Sequence, residues 1–221
     1  MKNYVIVVAG GSGTRIGSEI PKQFMKLEKK PILMHSICAF FNFDNSIKII
    51  VVLPENKFDQ WKKLCLEYDF DINHSIAAGG ESRFHSVKNG LAKIEDPGLV
   101  AIHDAARPLI KTELIKACFE SARRNGNAVP VIKPSDSIRL LKENKNTYIN
   151  RDTLRIVQTP QVFHSEVLKK GFEQEYSELF TDEANVVENT GEIIHLVEGD
   201  PVNIKVTLPV DLLIAELLMK N

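Results

Sequence analysis

Hydrophobic positions fall into two patterns that alternate along the chain. Aliphatic and β-branched runs at Tyr4 to Val8, Ile47 to Leu53, Leu99 to His103 and Ala128 to Ile132 show no polar face, which predicts strands of a sheet covered on both sides. Between them, apolar residues recur at helical spacing. Pro31 opens a predicted helix through Phe41, Pro54 opens one containing Trp61 and Leu64, and Thr112 caps one that ends near Arg124, before Gly126. Strands alternating with helices of this length predict right-handed βαβ units, an α/β class and a mainly parallel sheet, with ligands bound at the carboxyl ends of the strands.

One segment breaks the rhythm. From Ser137 to Arg151, two short strand-like runs flank the polar loop Lys142 to Asn146, which reads as a hairpin with Arg151 as its basic tip residue. An isolated two-stranded hairpin is marginal in water, so it must pack on something, and a second chain is the obvious candidate. Beyond it the pattern predicts a helix capped by Ser165, another begun by Thr181 and ended at Gly191, a strand from Ile193 to Val197, and a last helix from Pro209 to Met219. No fixed-period repeat or low-complexity stretch interrupts the chain, so residues 1–221 read as one domain with a hairpin arm at about 137–151.

Composition narrows the class. At 221 residues and 43% hydrophobic, the chain can bury a sizeable core without disulfides or metals. Lys and Arg total 28 against 29 Asp and Glu, a formal charge of −1. That near-balance removes the long-range attraction expected of a non-specific nucleic-acid or membrane-surface binder, so an anionic ligand must be held by local charge. Cys38, Cys65 and Cys118 form no CxxC, which suggests neither a disulfide framework nor a zinc site and fits a reducing cytoplasm. With no stretch of about 18 apolar residues and no cleavage-site pattern near the start, a soluble protein that is not exported is expected.

Candidate chemistry begins where the first strand runs into Ala9-Gly10-Gly11-Ser12-Gly13-Thr14-Arg15. A glycine-rich turn there lets backbone N–H groups approach an anion. It lacks the Gly-Lys-Ser/Thr of a Walker A loop, and Ile16 stands where a dinucleotide fingerprint needs its third glycine. Taken alone, such a loop fits a plain strand-to-helix turn equally well. Arg15, and Lys22 in Pro21-Lys22-Gln23-Phe24, shift the reading towards a polyphosphate. The predicted strand from Leu99 runs into His103-Asp104-Ala105-Ala106-Arg107-Pro108. Asp104 is well placed there to hold Mg²⁺ through one carboxylate while phosphates supply other ligands, whereas His103 reads as structural and Arg107 as a contact for a second anionic group.

These segments, with Gly79-Gly80-Glu81-Ser82-Arg83, Ser86-Val87, Gln158-Thr159-Pro160-Gln161, Thr181-Asp182-Glu183-Ala184 and Asn203 to Thr207, resemble the 2-C-methyl-D-erythritol 4-phosphate cytidylyltransferases of the non-mevalonate isoprenoid pathway. The likeness spans nearly the whole chain, with the motifs in the family's order. It implies a three-layer, Rossmann-like nucleotidyltransferase sheet, transfer of CMP from CTP to methylerythritol phosphate with a Mg²⁺ requirement, and a homodimer whose hairpin arm completes the partner's site. Carried over by position, the resemblance makes Arg15 and Lys22 stabilisers of the transition state. It places Ala9, Gly10, Gly11, Gly13, Thr14, Gly80, Glu81 and Ser86 around CTP, with Gly80, Glu81 and Ser86 at the cytosine and ribose, and makes Asp104 the metal ligand. Arg107, Ser137, Thr159, Thr181 and Lys205 would surround the polyol phosphate, with Arg151 coming from the other subunit.

Three positions depart from the family pattern. Ser137 replaces a threonine but keeps the hydroxyl, Val202 stands where some relatives have an acidic residue, and Arg155 stands where a tryptophan is frequent. Ribitol-5-phosphate cytidylyltransferases share the glycine loop and the Gln-Thr-Pro-Gln segment, but Asn150-Arg151-Asp152 and Thr181 to Ala184 fit the methylerythritol enzymes better. A catalytically silent nucleotide-binding subunit is the other alternative; it would not need Arg15, Lys22, Asp104 and Lys205 together. A phosphate monoester is already an oxyanion at neutral pH, so in-line attack on CTP needs no activated nucleophile, which agrees with the lack of a Ser-His-Asp pattern.

Overall fold

The structure is a computed structural model that describes residues 1–10 and 21–220. Among these, an eight-stranded sheet has the order β10-β7-β11-β6-β1-β4-β5, with β12 also beside β7. Its strands are β1 (Lys2–Val8), β4 (Lys48–Leu53), β5 (Ser75–Ala78), β6 (Gly98–Asp104), β7 (Asn127–Ile132), β10 (Ile156–Val157), β11 (Gln161–His164) and β12 (Leu196–Glu198). Two minor strands, β2 (Lys26–Leu27) and β3 (Lys30–Pro31), pair with each other, as do β8 (Ile138–Lys142) and β9 (Lys145–Ile149) of the hairpin. The pairs β1–β4, β1–β6, β4–β5 and β7–β12 are parallel. Within the eight-stranded sheet of the described residues, β10 and β11 alone run against their neighbours.

The continuous hydrophobicity of the central strands is explained by what lies above and below them. Val5 and Val7 of β1, Ile49 and Val51 of β4, and Leu99 and Ala101 of β6 face one cluster with Leu33, Ile37, Trp61, Ile115 and Phe119. Tyr4, Ile6, Ile50, Val52, Val100 and Ile102 face the other, with Val87, Leu91, Leu168 and Val186. The first layer is α1 (Ile32–Phe43), α2 (Phe58–Glu67) and α4 (Thr112–Asn125); the second is α3 (Arg83–Leu91), α5 (Ser165–Gly171) and α6 (Glu183–Glu188). The expected three-layer α/β class is observed. A smaller cluster of Leu27, Ile32, Val206 and Ala215 seats α7 (Pro209–Met219), whose bounds match expectation.

Several local expectations are corrected. Thr112 is the first residue of α4 rather than its cap, and no side chain caps that helix. Ser165 is likewise inside α5; its hydroxyl instead accepts the Gly98 N–H at 3.1 Å, tying α5 to the start of β6. Asp182, not Thr181, caps α6 by accepting the Asn185 N–H at 2.9 Å. The last strand is Leu196–Glu198, further along than expected. The hairpin turn is shorter than Lys142 to Asn146, because Lys142 pairs with Lys145 and leaves only Glu143 and Asn144 between the strands. Polarity misled there: β9 is exposed along most of its length, so its polar residues are ordinary strand residues. Arg151 is at the base of the hairpin, opening a 3-10 turn from Arg151 to Thr153 and donating to the Ser135 carbonyl, rather than at the tip.

Candidate active site

The carboxyl ends of β1, β5 and β6 meet at a cleft of about 490 Å³. Backbone bonds fix its floor: Ala9 N–H donates to Val52 O (2.9 Å), Gly79 N–H to Leu53 O (2.7 Å) and Ala105 N–H to Val8 O (3.1 Å). Each loop therefore leaves the sheet from a held position. A cleft of similar size, about 500 Å³, lies at the opposite ends of the strands beside Tyr4 and Ile50. The carboxyl end is where parallel strands present their loops to a ligand.

Asp104 forms the electrostatic centre of the first cleft. Its side chain is 7% exposed and meets three cations: Oδ1 accepts from Arg83 Nη1 at 2.5 Å, while Oδ2 is 2.9 Å from Lys205 Nζ and 3.5 Å from Arg107 Nε. Burial alone would raise the carboxyl pKa, but Arg83, Lys205 and Arg107 together hold it far below the usual carboxylate range. Arg83 is gripped from behind by Glu183, which accepts from Nε at 3.0 Å and from Nη2 at 2.9 Å. Burial raises the Glu183 pKa against the pull of that guanidinium. Three cations thus face two carboxylates, leaving a cationic cleft in a chain with a formal charge of −1.

The Gln158-Thr159-Pro160-Gln161 segment frames this centre. Thr159 Oγ1 accepts the Asp104 N–H at 3.0 Å and lies 3.1 Å from His103 Nδ1. His103 Nε2 lies 3.2 Å from the Arg107 carbonyl, an acceptor only, so Nε2 carries the ring proton and Nδ1 accepts from the threonine. Burial keeps that ring neutral, its pKa lowered to about 4. Gln158 donates to Asp200 O at 2.8 Å and accepts the Asp200 N–H at 3.1 Å, holding the loop that leads to Lys205. Gln161, fully buried, accepts the Ala184 N–H at 2.8 Å and donates to Asp182 at 2.9 Å, which fixes the start of α6.

Of the residues singled out in the sequence, the cleft wall brings together Ala9, Gly10, Lys22, Gly80, Glu81 and Ser86 with Asp104 and Lys205. Lys22 is on a short 3-10 turn whose next two residues, Gln23 and Phe24, are buried. Phe24 stacks on Trp61 with centroids 6.0 Å apart, and the indole N–H donates to His74 Nε2 at 2.9 Å. Ser86 Oγ accepts the Gly80 N–H at 3.0 Å, and a Cβ on Gly80 would collide with the Cβ of His85. Glycine is what allows that turn to close. Arg107 is buried and donates to Asn203 O at 2.7 Å, and Thr159 is buried behind Asp104. Ser137, Arg151 and Thr181 are exposed and are not part of this cleft wall. Gly11, Gly13, Thr14 and Arg15 lie outside the described residues.

Comparison with known proteins fits this arrangement. The model of the family "IspD: 2-C-methyl-D-erythritol 4-phosphate cytidylyltransferase" matches residues 3–221. The chain belongs to this family. A family member from Bacteroides thetaiotaomicron is 47% identical over 219 residues, covering 99% of this chain and 100% of the relative. Another, from Clostridium perfringens strain SM101, is 38% identical over 220 residues, with 97% of each chain covered. The solved 2-C-methyl-D-erythritol 4-phosphate cytidylyltransferase from Thermus thermophilus has a TM-score of 0.80 at 28% identity, covering 100% of both chains.

Within this IspD-family fold, sequence reasoning assigned no role to Arg83 or Glu183. Both stood in motifs quoted from the sequence, but they are 100 residues apart, and only the fold shows that they form one unit with Asp104.

Proposed function

We propose that this chain is a 2-C-methyl-D-erythritol 4-phosphate cytidylyltransferase, transferring the cytidylyl group of CTP to the phosphate of the polyol with release of pyrophosphate, in isoprenoid precursor synthesis. The carrying observation is the cationic cleft at the strand ends, where Lys22 and Lys205 flank a buried Asp104. The substrate oxyanion needs no base to activate it, so the protein's task is to bring two polyanions together and offset the charge on the phosphates.

In this reading Lys22, with Arg15 of the glycine loop, stabilises the charge that develops on CTP. Ala9, Gly10, Gly11, Gly13 and Thr14 provide backbone to the triphosphate, and Gly80, Glu81 and Ser86 line the nucleoside end. Lys205, Ser137 and Thr181 surround the polyol phosphate, with Arg107 and Thr159 buried behind them at Asp104. Lys205 is open to a ligand in the cleft, its side chain 44% exposed while it pairs with Asp104. The hairpin supports a homodimer in which Arg151 serves the partner's site: it forms its own two-stranded sheet and exposes Leu140, Leu141 and Tyr148. The three cysteines, all free thiols, support a cytoplasmic setting.

Mg²⁺ fits the residues present. Asp104 is a hard-oxygen ligand held ionised by three cations, with Arg83 on Oδ1 and Lys205 and Arg107 on Oδ2. Among the described residues no three His, Cys, Asp or Glu side chains cluster. When bound there, the ion offsets phosphate charge and favours departure of pyrophosphate.

The decisive experiment measures initial rates of pyrophosphate release with CTP and Mg²⁺, comparing methylerythritol phosphate with ribitol 5-phosphate. Preference for the former supports the proposal, preference for the latter reassigns the acceptor, and no release with either refutes a cytidylyltransferase activity.

A further inference from the structure

The joint between Arg83 and Glu183 does more than the fold requires. Arg83 is the first residue of α3, and that helix has no acidic residue in its first turn. A cation at a helix amino terminus opposes the helix dipole. Replacing a buried ion pair by packed apolar groups is often neutral or stabilising. The helix start therefore gives no reason for an arginine here; its role comes from the two buried carboxylates it touches.

All three of its guanidinium nitrogens are used. Nε and Nη2 form a two-pronged grip on Glu183, whose side chain is 2% exposed, which leaves Nη1 aimed at Asp104 Oδ1 at 2.5 Å. Glu183 is in turn anchored because it opens α6, the helix start that Gln161 and Asp182 fix. A planar fork held on one edge presents its remaining N–H in one direction only. The Asp104 carboxylate is thereby kept from rotating about its last bond, with Oδ2 turned to Lys205 at 2.9 Å and to Arg107 Nε at 3.5 Å.

We propose that Arg83 is a positioning residue for Asp104, and that Glu183 holds it in place: by fixing Oδ1, the pair sets the direction of Oδ2, the oxygen offered to the divalent cation that arrives with the nucleotide. This inference rests on the reading of Asp104 as the residue that holds Mg²⁺. It assigns Arg83 no contact with substrate.

The test is an equilibrium one, calorimetric binding of CTP across a Mg²⁺ series without the acceptor, on wild type, Arg83→Gln, Arg83→Lys, Asp104→Asn and the Arg83→Gln/Asp104→Asn double variant. Thermal melts establish that each is folded. Loss of a residue that orients a metal ligand typically costs about 10- to 100-fold in metal affinity or activity, so Arg83→Gln is expected to raise the half-saturating Mg²⁺ concentration about 10-fold or more. Arg83→Lys keeps the charge but cannot grip two carboxylates at once, so it falls between wild type and Arg83→Gln. The double variant should bind no worse than Asp104→Asn, because Arg83 acts through that carboxylate. Losses that multiply in the double variant overturn the inference. So does a wild-type Mg²⁺ response in Arg83→Lys, which decides the matter even if Arg83→Gln fails to fold. An unaltered response in Asp104→Asn instead overturns the metal reading, and this inference with it.

Discussion

Lys22 is carried by a turn that Phe24 pins onto the fully buried Trp61, so its backbone is set by packing while its side chain borders the cleft. Lys22→Ala is therefore expected to leave the melting temperature nearly unchanged and to lower kcat by about 10² to 10³, the usual effect of deleting one preorganised stabilising group. Pyrophosphate release alongside a thermal melt checks both halves. His103 makes the opposite kind of prediction. Its ring stays neutral in the fold, with a pKa lowered from 6.5 to about 4 by burial, whereas the unfolded chain takes up a proton below about 6.5. The stability it contributes is complete above pH 6.5 and is lost as pH falls from there to about 4. Urea midpoints measured at pH 7 and pH 5 should drop for wild type and drop less for His103→Gln; parallel drops would show that another group is responsible.

Among the elements, helix α3 packs close against the sheet at Gly90. A Cβ on Gly90 would come within 2.8 Å of Ile6 Cγ2 and 3.2 Å of Val52 Cγ2, both in the packed layer. Gly90→Ala brings better helix propensity, worth about 1 kcal/mol, against overpacking of about 1 to 3 kcal/mol. The net expectation is a lower urea midpoint, and a higher one would mean that the layer yields. This helix was not legible in the sequence, because Arg83, Ser86 and Gly90 break up its apolar spacing. Strands β1, β4, β6 and β7 were legible because being covered on both faces leaves a strand no polar side. Strand β11 was missed for the reverse reason: it is four residues long, starts with a buried glutamine and runs antiparallel in a mainly parallel sheet. Of the site, the separate motifs could be read, and Lys22, Asp104 and Lys205 do meet at one cleft. The Arg83–Glu183 joint could not be read, since no local pattern ties a helix start to another 100 residues away.

At the scale of the whole molecule, the proposed dimer makes a counting prediction. If each site uses its own Lys22 and the partner's Arg151, mixed dimers of Lys22→Ala and Arg151→Ala chains hold one site with both defects and one with neither. Random exchange makes about half the dimers mixed, so about a quarter of all sites should regain activity. Refolding an equimolar mixture, sizing it and measuring pyrophosphate release tests this; recovery no greater than the mean of the parents would place Arg151 in its own chain's site. The order of the strands also governs how the chain comes together during synthesis. Strand β11 runs between β6 and β7, pairing with both, so those two earlier strands are never neighbours. A nascent chain that has emerged only as far as the hairpin therefore has a gap in the middle of its sheet, with apolar edges on both sides of it. Until residue 164 leaves the ribosome, the two halves have nothing to join them, and Asp104 lacks the threonine that anchors its backbone. The active centre is thus completed late in translation, and a message truncated before that point would yield a chain prone to aggregate rather than a partly active enzyme.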